Sequence, residues 1–234
     1  MARTRGKDDL SAKYANKPND KRKHVVWVFT EGGRTEPDYI DAVKSFFPDE
    51  HPVHVHIAND GRSTDKKRGR ARDGRDRKPK PLVEEAIKLK RKLDRESKLA
   101  GIQKEMYPEV WCIFDRDQHE GVDKAIVDAL KADVKVAFSH PCFELWRLLH
   151  HKNFTSTCGG VCDEAAKRLP FAKDRSEQDL KHVPVEEIKG RYAKAKRAAV
   201  RMNGEHPEGV PLTKRDPYTD VWRFVEEGLR ITSY

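Results

Sequence analysis

Three carboxylates stand where short apolar runs end. Glu31 follows the run from His24 to Thr30 and precedes Gly32-Gly33, and Asp115 and Asp117 flank Arg116 directly after Val110–Phe114. On extended backbone, alternate side chains point the same way, so both aspartates can address one ion while Arg116 faces away. A glutamate and an Asp-x-Asp meeting at one edge make a hard, oxygen-lined site suited to Mg²⁺ or Mn²⁺. Such an ion orients a phosphodiester, neutralises developing charge and activates water. Glu31 can also act as general acid or base, and its two glycines allow backbone to approach a phosphate closely. A charged turn closing a strand shows the same aspartate pattern, so Asp-x-Asp alone does not establish a metal site.

Three further residues are candidates for the same crevice. Glu36 lies one turn into the helix after Glu31, although an acidic residue there is stabilised by the helix dipole whatever its role. Glu144 lies in the first turn of a helix that follows a strand. His140, in the connection before Pro141, could donate to phosphate or shuttle a proton.

These residues need elements to hold them. His24–Thr30, Val53–Ile57, Glu109–Phe114 and Val134–Phe138 are short, β-branched or aromatic, and read as strands. Between them lie helical patterns: Tyr39, Ile40, Val43, Phe46 and Phe47 after a Thr35 cap, then Pro81 to Leu99, then Val122 to Leu130. Phe143, Trp146 and Leu149 share one face of a fourth helix. Strands alternating with helices predict an α/β fold, a mostly parallel sheet with helices on both faces. Ligands of such sheets bind beyond the strands' C-terminal ends, where these carboxylates stand. Residues 1–23 read as a disordered basic arm and 24–155 as the core, with a basic loop, 58–80, inserted. Residues 156–234 read as a helical C-terminal region packed on that core, with Tyr218, Val221, Trp222, Val225 and Leu229 as one apolar stripe.

The charge is local. Of a net +9, residues 1–24 carry eight Lys/Arg against three Asp, and residues 61–80 carry ten against three. These two segments exceed the whole chain's charge, so the remainder is slightly acidic. Arg62, Lys66, Lys67, Arg68, Arg70, Arg72, Arg75, Arg77 and Lys78 form the footprint expected for a phosphate backbone; a merely solvated loop is the competing reading. No aromatics interleave, so a base-stacking platform is not supported there. Four cysteines in 234 residues do not make a disulfide scaffold, and they fit a reducing cytoplasm. Cys158-x₃-Cys162 lacks a clear four-ligand zinc pattern, so free thiols are expected. No signal peptide and no membrane span are expected from the polar start and short apolar runs. Glu31-Gly32-Gly33-Arg34 lacks the spacing and lysine of a P-loop, which argues against ATP hydrolysis.

Thr30-Glu31-Gly32-x-x-Thr35-Glu36-x-x-Tyr39, Phe114-Asp115-x-Asp117, Ser139-His140-Pro141-Cys142-Phe143-Glu144-Leu145-Trp146 and Asp216-Pro217-Tyr218-Thr219-Asp220 together resemble the RloB-like family. The resemblance implies a Toprim-type α/β core, with Glu31 as acid/base and Asp115 and Asp117 as Mg²⁺ carboxylates. It further implies a nuclease of prokaryotic abortive-infection or antiphage loci, acting on RNA and possibly tRNA in preference to DNA, often paired with an ATPase. The basic segment 61–80 matches no fixed motif of that family. A non-catalytic nucleic-acid-binding or adaptor subunit, and phosphoryl or nucleotidyl transfer on the same carboxylates, stay open beside the nuclease.

Overall fold

A computed structural model describes residues 23–60, 77–117 and 119–234. The predicted arm, apart from Lys23, and most of the basic loop lie outside the described residues. A five-stranded sheet runs in the order β2-β1-β3-β4-β5. Its strands are β1 (His24–Thr30), β2 (Val53–Ile57), β3 (Glu109–Asp115), β4 (Lys135–His140) and β5 (Tyr218–Thr219). The first four are mutually parallel, and β5 pairs antiparallel with β4.

The strands sort their side chains onto two faces by their two-residue period. Along β3, Trp111 and Ile113 enter one core, while Val110, Cys112 and Phe114 enter the other. Both faces are covered, which is why β3 reads as an unbroken apolar run. The Trp111 face packs against α1 (Thr35–Lys44), whose Tyr39, Ile40 and Val43 are buried. The Phe114 face packs against α2 (Pro79–Leu99), through Leu82, Val83, Ala86 and Leu93, and against α3 (Val122–Lys131). α4 (Phe143–His151) joins the first face. The later elements α5 (Cys162–Ala166), α6 (Glu177–Leu180), α7 (Val185–Ile188), α8 (Tyr192–Gly204) and α9 (Val221–Arg223) follow it. Ile188, Tyr192, Ala195, Ala199 and Met202 of α7 and α8 lie in the same core as β1 and α1. Among the described residues, no helix is long and apolar enough to cross a membrane.

The departures from the expected elements are local. Thr35 is the first helical residue, with Arg34 in the capping position. The stripe expected as one helix from Tyr218 instead opens as β5: Thr219 pairs with Ser139, Tyr218 with His140, and Asp220 Oδ1 accepts the Phe138 N–H at 2.7 Å. Sheet-edge hydrogen bonds win over helical spacing there, and helix resumes only at Val221, passing into a wider π-type turn over Phe224–Gly228. The same pairing makes His140 the last residue of a strand instead of a loop residue. The longest helix of the C-terminal region is α8, which begins at Tyr192 after the separate turn α7.

Candidate active site

β1 and β3 are parallel neighbours in register, Thr30 opposite Ile113, so both chains leave the sheet at the same edge. Glu31 donates its N–H to Ile113 O at 3.0 Å. Its side chain then reaches over to β3, where Oε2 accepts the Asp115 N–H at 2.9 Å. The other oxygen, Oε1, lies 2.6 Å from Nε2 of His119.

Asp115 is held from a third element. Its Oδ2 accepts the N–H of Phe143 at 3.1 Å, at the first turn of α4, where exposed N–H groups favour negative charge. Its Oδ1 is enclosed and has no hydrogen-bond partner. Glu36, almost wholly buried, accepts the Gly32 N–H at 2.9 Å. A Cβ at Gly32 would lie 1.8 Å from Glu36 Oε2, so any larger residue there must displace the Glu36 carboxylate. Glu144 is half-buried in the first turn of α4 and acts on both Glu36 and Asp115 electrostatically.

The four inner carboxylates therefore crowd one another, and their proton affinities record it. Burial pushes Glu36 up to about 7, with Glu144 and Glu31 adding repulsion against the Gly32 hydrogen bond. Burial, then Glu36, Glu31 and Glu144, hold Asp115 well above the usual aspartate range. Burial also raises Glu31, against the opposing pull of the Asp115 N–H and His119. Asp117 stands apart at the rim. It takes a left-handed backbone, φ 31°, its side chain is 46% exposed, and its Oδ2 lies 3.9 Å from His119 Nε2. The Asp-x-Asp pair is thereby split into one inner and one outer carboxylate.

Beside this cluster opens a cleft of about 500 Å³, lined by Arg116, Asp117, His119, His140 and Lys214 among others. His140 borders it without joining the carboxylates. Burial lowers its pKa, with Asp216 opposing. Cys142 and Cys162 lie nearby as free thiols, Cys142 Sγ 3.7 Å from Cys162 O. Upstream, His150 is tied to Trp146 O and the Tyr234 hydroxyl inside the core.

Among the described residues, no three His, Cys, Asp or Glu side chains stand in metal-ligand geometry. Glu31 is turned onto the Asp115 N–H and His119, and Asp117 points outward. The donor chemistry nonetheless suits a hard divalent cation: all oxygen, mutually repelling, with one enclosed carboxylate oxygen unpartnered. Asp115, Glu31 and Asp117 are the residues that would hold it, with Glu36 and Glu144 behind them.

Of the predicted nucleic-acid contacts, Arg62, Lys66, Lys67, Arg68, Arg70, Arg72 and Arg75 lie outside the described residues. Lys78 is exposed, just before α2. Arg77 departs from the expectation. It is buried and donates to backbone carbonyls: Gly32 O at 3.0 Å, Thr30 O at 3.4 Å and Asn59 O at 2.5 Å. Three converging carbonyls, two of them shared with the Asn59 amide and the Thr30 hydroxyl, offer the guanidinium's fixed donors a set of acceptors at that point.

A family model described as RloB-like protein matches residues 26–227. The chain belongs to the RloB-like family. No curated protein and no solved structure matches it significantly. In this RloB-like chain the matched span takes in every carboxylate of the site, His119, His140 and the basic segment. His119 went unpredicted, although it continues the alternation as Asp115-x-Asp117-x-His119; the turn it occupies has no period to mark it. Asn59, whose side chain bonds both the N–H and the C=O of Thr30, carried no signal at all.

Proposed function

We propose that the chain is a Mg²⁺-dependent, Toprim-type nuclease that cleaves RNA, with tRNA one candidate, in cytoplasmic antiphage defence. The observation that carries this reading is the crowding of Glu31, Glu36, Asp115 and Glu144 around an unpartnered Asp115 oxygen at the C-terminal edge of a parallel sheet. Such charge is costly to hold unless a cation or proton compensates it. Perturbed carboxylates beside an open cleft are what phosphodiester chemistry requires. The family resemblance supplies RNA over DNA, the defence setting and a partner ATPase.

The reaction is hydrolysis. Water attacks phosphorus, the P–O bond to the leaving nucleoside breaks, and the departing oxygen takes up a proton. A bound divalent ion would orient the phosphodiester and neutralise its developing charge. Glu31 takes the proton from the attacking water, and His119, 2.6 Å from Oε1, holds that proton in the shared hydrogen bond. Asp115, fixed through Oδ2 by the Phe143 N–H, keeps its enclosed Oδ1 unpartnered for a cation to take up. Arg116 and Lys214 border the cleft that would receive the strand.

A second reading is a nucleic-acid-binding adaptor subunit for an ATPase, which the cleft bordered by Arg116 and Lys214 supports without any chemistry. Cleavage separates the two. Purified protein, with and without its ATPase partner, is incubated with tRNA and with duplex DNA in Mg²⁺. Wild type should cut RNA and Glu31→Gln should lose about 100-fold or more in rate. Equal cleavage by the variant would remove the assignment, and no cleavage by wild type in either mixture leaves the adaptor.

A further inference from the structure

Among the described basic residues of the segment, Arg77 turns its side chain inward, whereas Lys78 and Lys80 are exposed. Its guanidinium ties together Thr30 O, Gly32 O and Asn59 O, the carbonyls on either side of Glu31 and the one at the end of the following strand connection. The Asn59 side chain braces Thr30 from the other side, through its N–H and C=O. Gly33 runs over the guanidinium, with Arg77 Cζ 3.8 Å from where its Cβ would be. Within that turn, Gly32 offers its N–H to Glu36 and Glu31 reaches to Asp115 and His119. The turn has no side-chain cap of its own at the start of α1. A planar fork with five donors suits three carbonyls, and an ammonium cannot reproduce it.

We propose that Arg77 is a positioning residue for Glu31 and Glu36, and not a contact to substrate phosphate. It acts by fixing the Thr30–Gly32 backbone from which both carboxylates are aimed. Its direct neighbour Lys78, exposed and outward, serves the opposite purpose of gripping substrate. One sequence run thus splits between site assembly and substrate binding. The kinetic part of this inference rests on the nuclease reading; the backbone part does not.

The test pairs Arg77→Lys with Lys78→Ala in the full-length protein. Arg77→Lys should lower kcat by about 10–100-fold, as removal of supporting contacts does, and leave KM for RNA within about twofold. Lys78→Ala should raise KM and leave kcat unchanged. With ¹⁵N-glycine labelling, the Gly32 amide should exchange with solvent at least about tenfold faster in Arg77→Lys than in wild type, while in Lys78→Ala it should not change. That measurement stands even if wild type cleaves nothing, so failure of the nuclease reading is told apart from failure of this one. An Arg77→Lys protein with wild-type kcat, raised KM and a wild-type Gly32 amide would overturn the proposal. Should Arg77→Lys melt below the assay temperature, Arg77→Ala supplemented with methylguanidinium reads the same split. Recovered kcat supports positioning, and recovered KM alone overturns it.

Discussion

Glu109 and Glu31 flank strands of the same sheet at opposite ends, and their surroundings differ in sign. Glu109, at the start of β3, accepts from His24 Nε2 at 3.0 Å, Trp111 Nε1 at 3.0 Å and Lys135 Nζ at 2.9 Å. Burial would raise its pKa, but these donors outweigh it and bring it down to about 2. At the other end, Glu31, Glu36, Asp115 and Glu144 meet few cations and mostly one another. Both ends bury carboxylate. Among the described residues Glu109 has three donors, whereas Asp115 keeps one oxygen unpartnered; under the proposed function that difference separates a structural acid from acids that would take up a cation.

That contrast can be broken most sharply at Asp115. Asp115→Asn should cut RNA cleavage by about 10³-fold, while raising thermal stability because an amide donor now faces the neighbouring carboxylates. Single-turnover cleavage and calorimetry on the same preparation check both signs. A loss of stability would place Asp115 with the structural acids.

The pH dependence comes next. Glu36 titrates at about 7 when folded against 4.5 for the ordinary group, so the folded state holds the extra proton between those values. Stability should therefore fall as pH rises from 4.5 to 7, by about 3 kcal/mol at most from this group. Glu109, with its folded pKa lowered, contributes stability that is present above 4.5 and lost as pH falls toward 2. Urea unfolding from pH 3 to 8 should show both slopes, and Glu36→Gln should flatten only the upper one. An unchanged upper slope in Glu36→Gln would assign that titration elsewhere.

The smallest effect is expected at the satisfied end. Glu109→Gln should destabilise by about 2 kcal/mol, since His24 and Lys135 lose a charged acceptor, and should leave cleavage alone. Loss of activity without loss of stability there would erase the distinction between the two ends.

Much of this was legible in the sequence, for physical reasons that also mark its limit. β1 and β3 are buried on both faces, so their composition gives them away, and an acidic residue at the end of such a run is conspicuous. Glu31 and Asp115 were found that way. Asp117 looked equivalent to Asp115 because alternation assumes an extended chain, whereas the backbone turns left-handed at Asp117 and swings it out. β5 escaped because two residues carry no period, and its pairing partner lies some eighty positions away. Arg77 was hidden among like residues. Type and spacing treat every cation of a basic run alike, and only the fold shows that Arg77 turns inward.

The register between β1 and β3 carries a last consequence. Thr30 lies opposite Ile113, and Glu31 and Asp115 are reached one and two residues beyond. A single residue inserted within β3 would shift everything after it by one place and exchange its two faces. Phe114 would then arrive at the place of Asp115, and Asp115 would move out to the half-exposed place of Arg116, beyond the strand. Strand length is thus a shared dimension of the two chains. For Glu31 and Asp115 to keep meeting, β1 and β3 of this chain must be lengthened or shortened together.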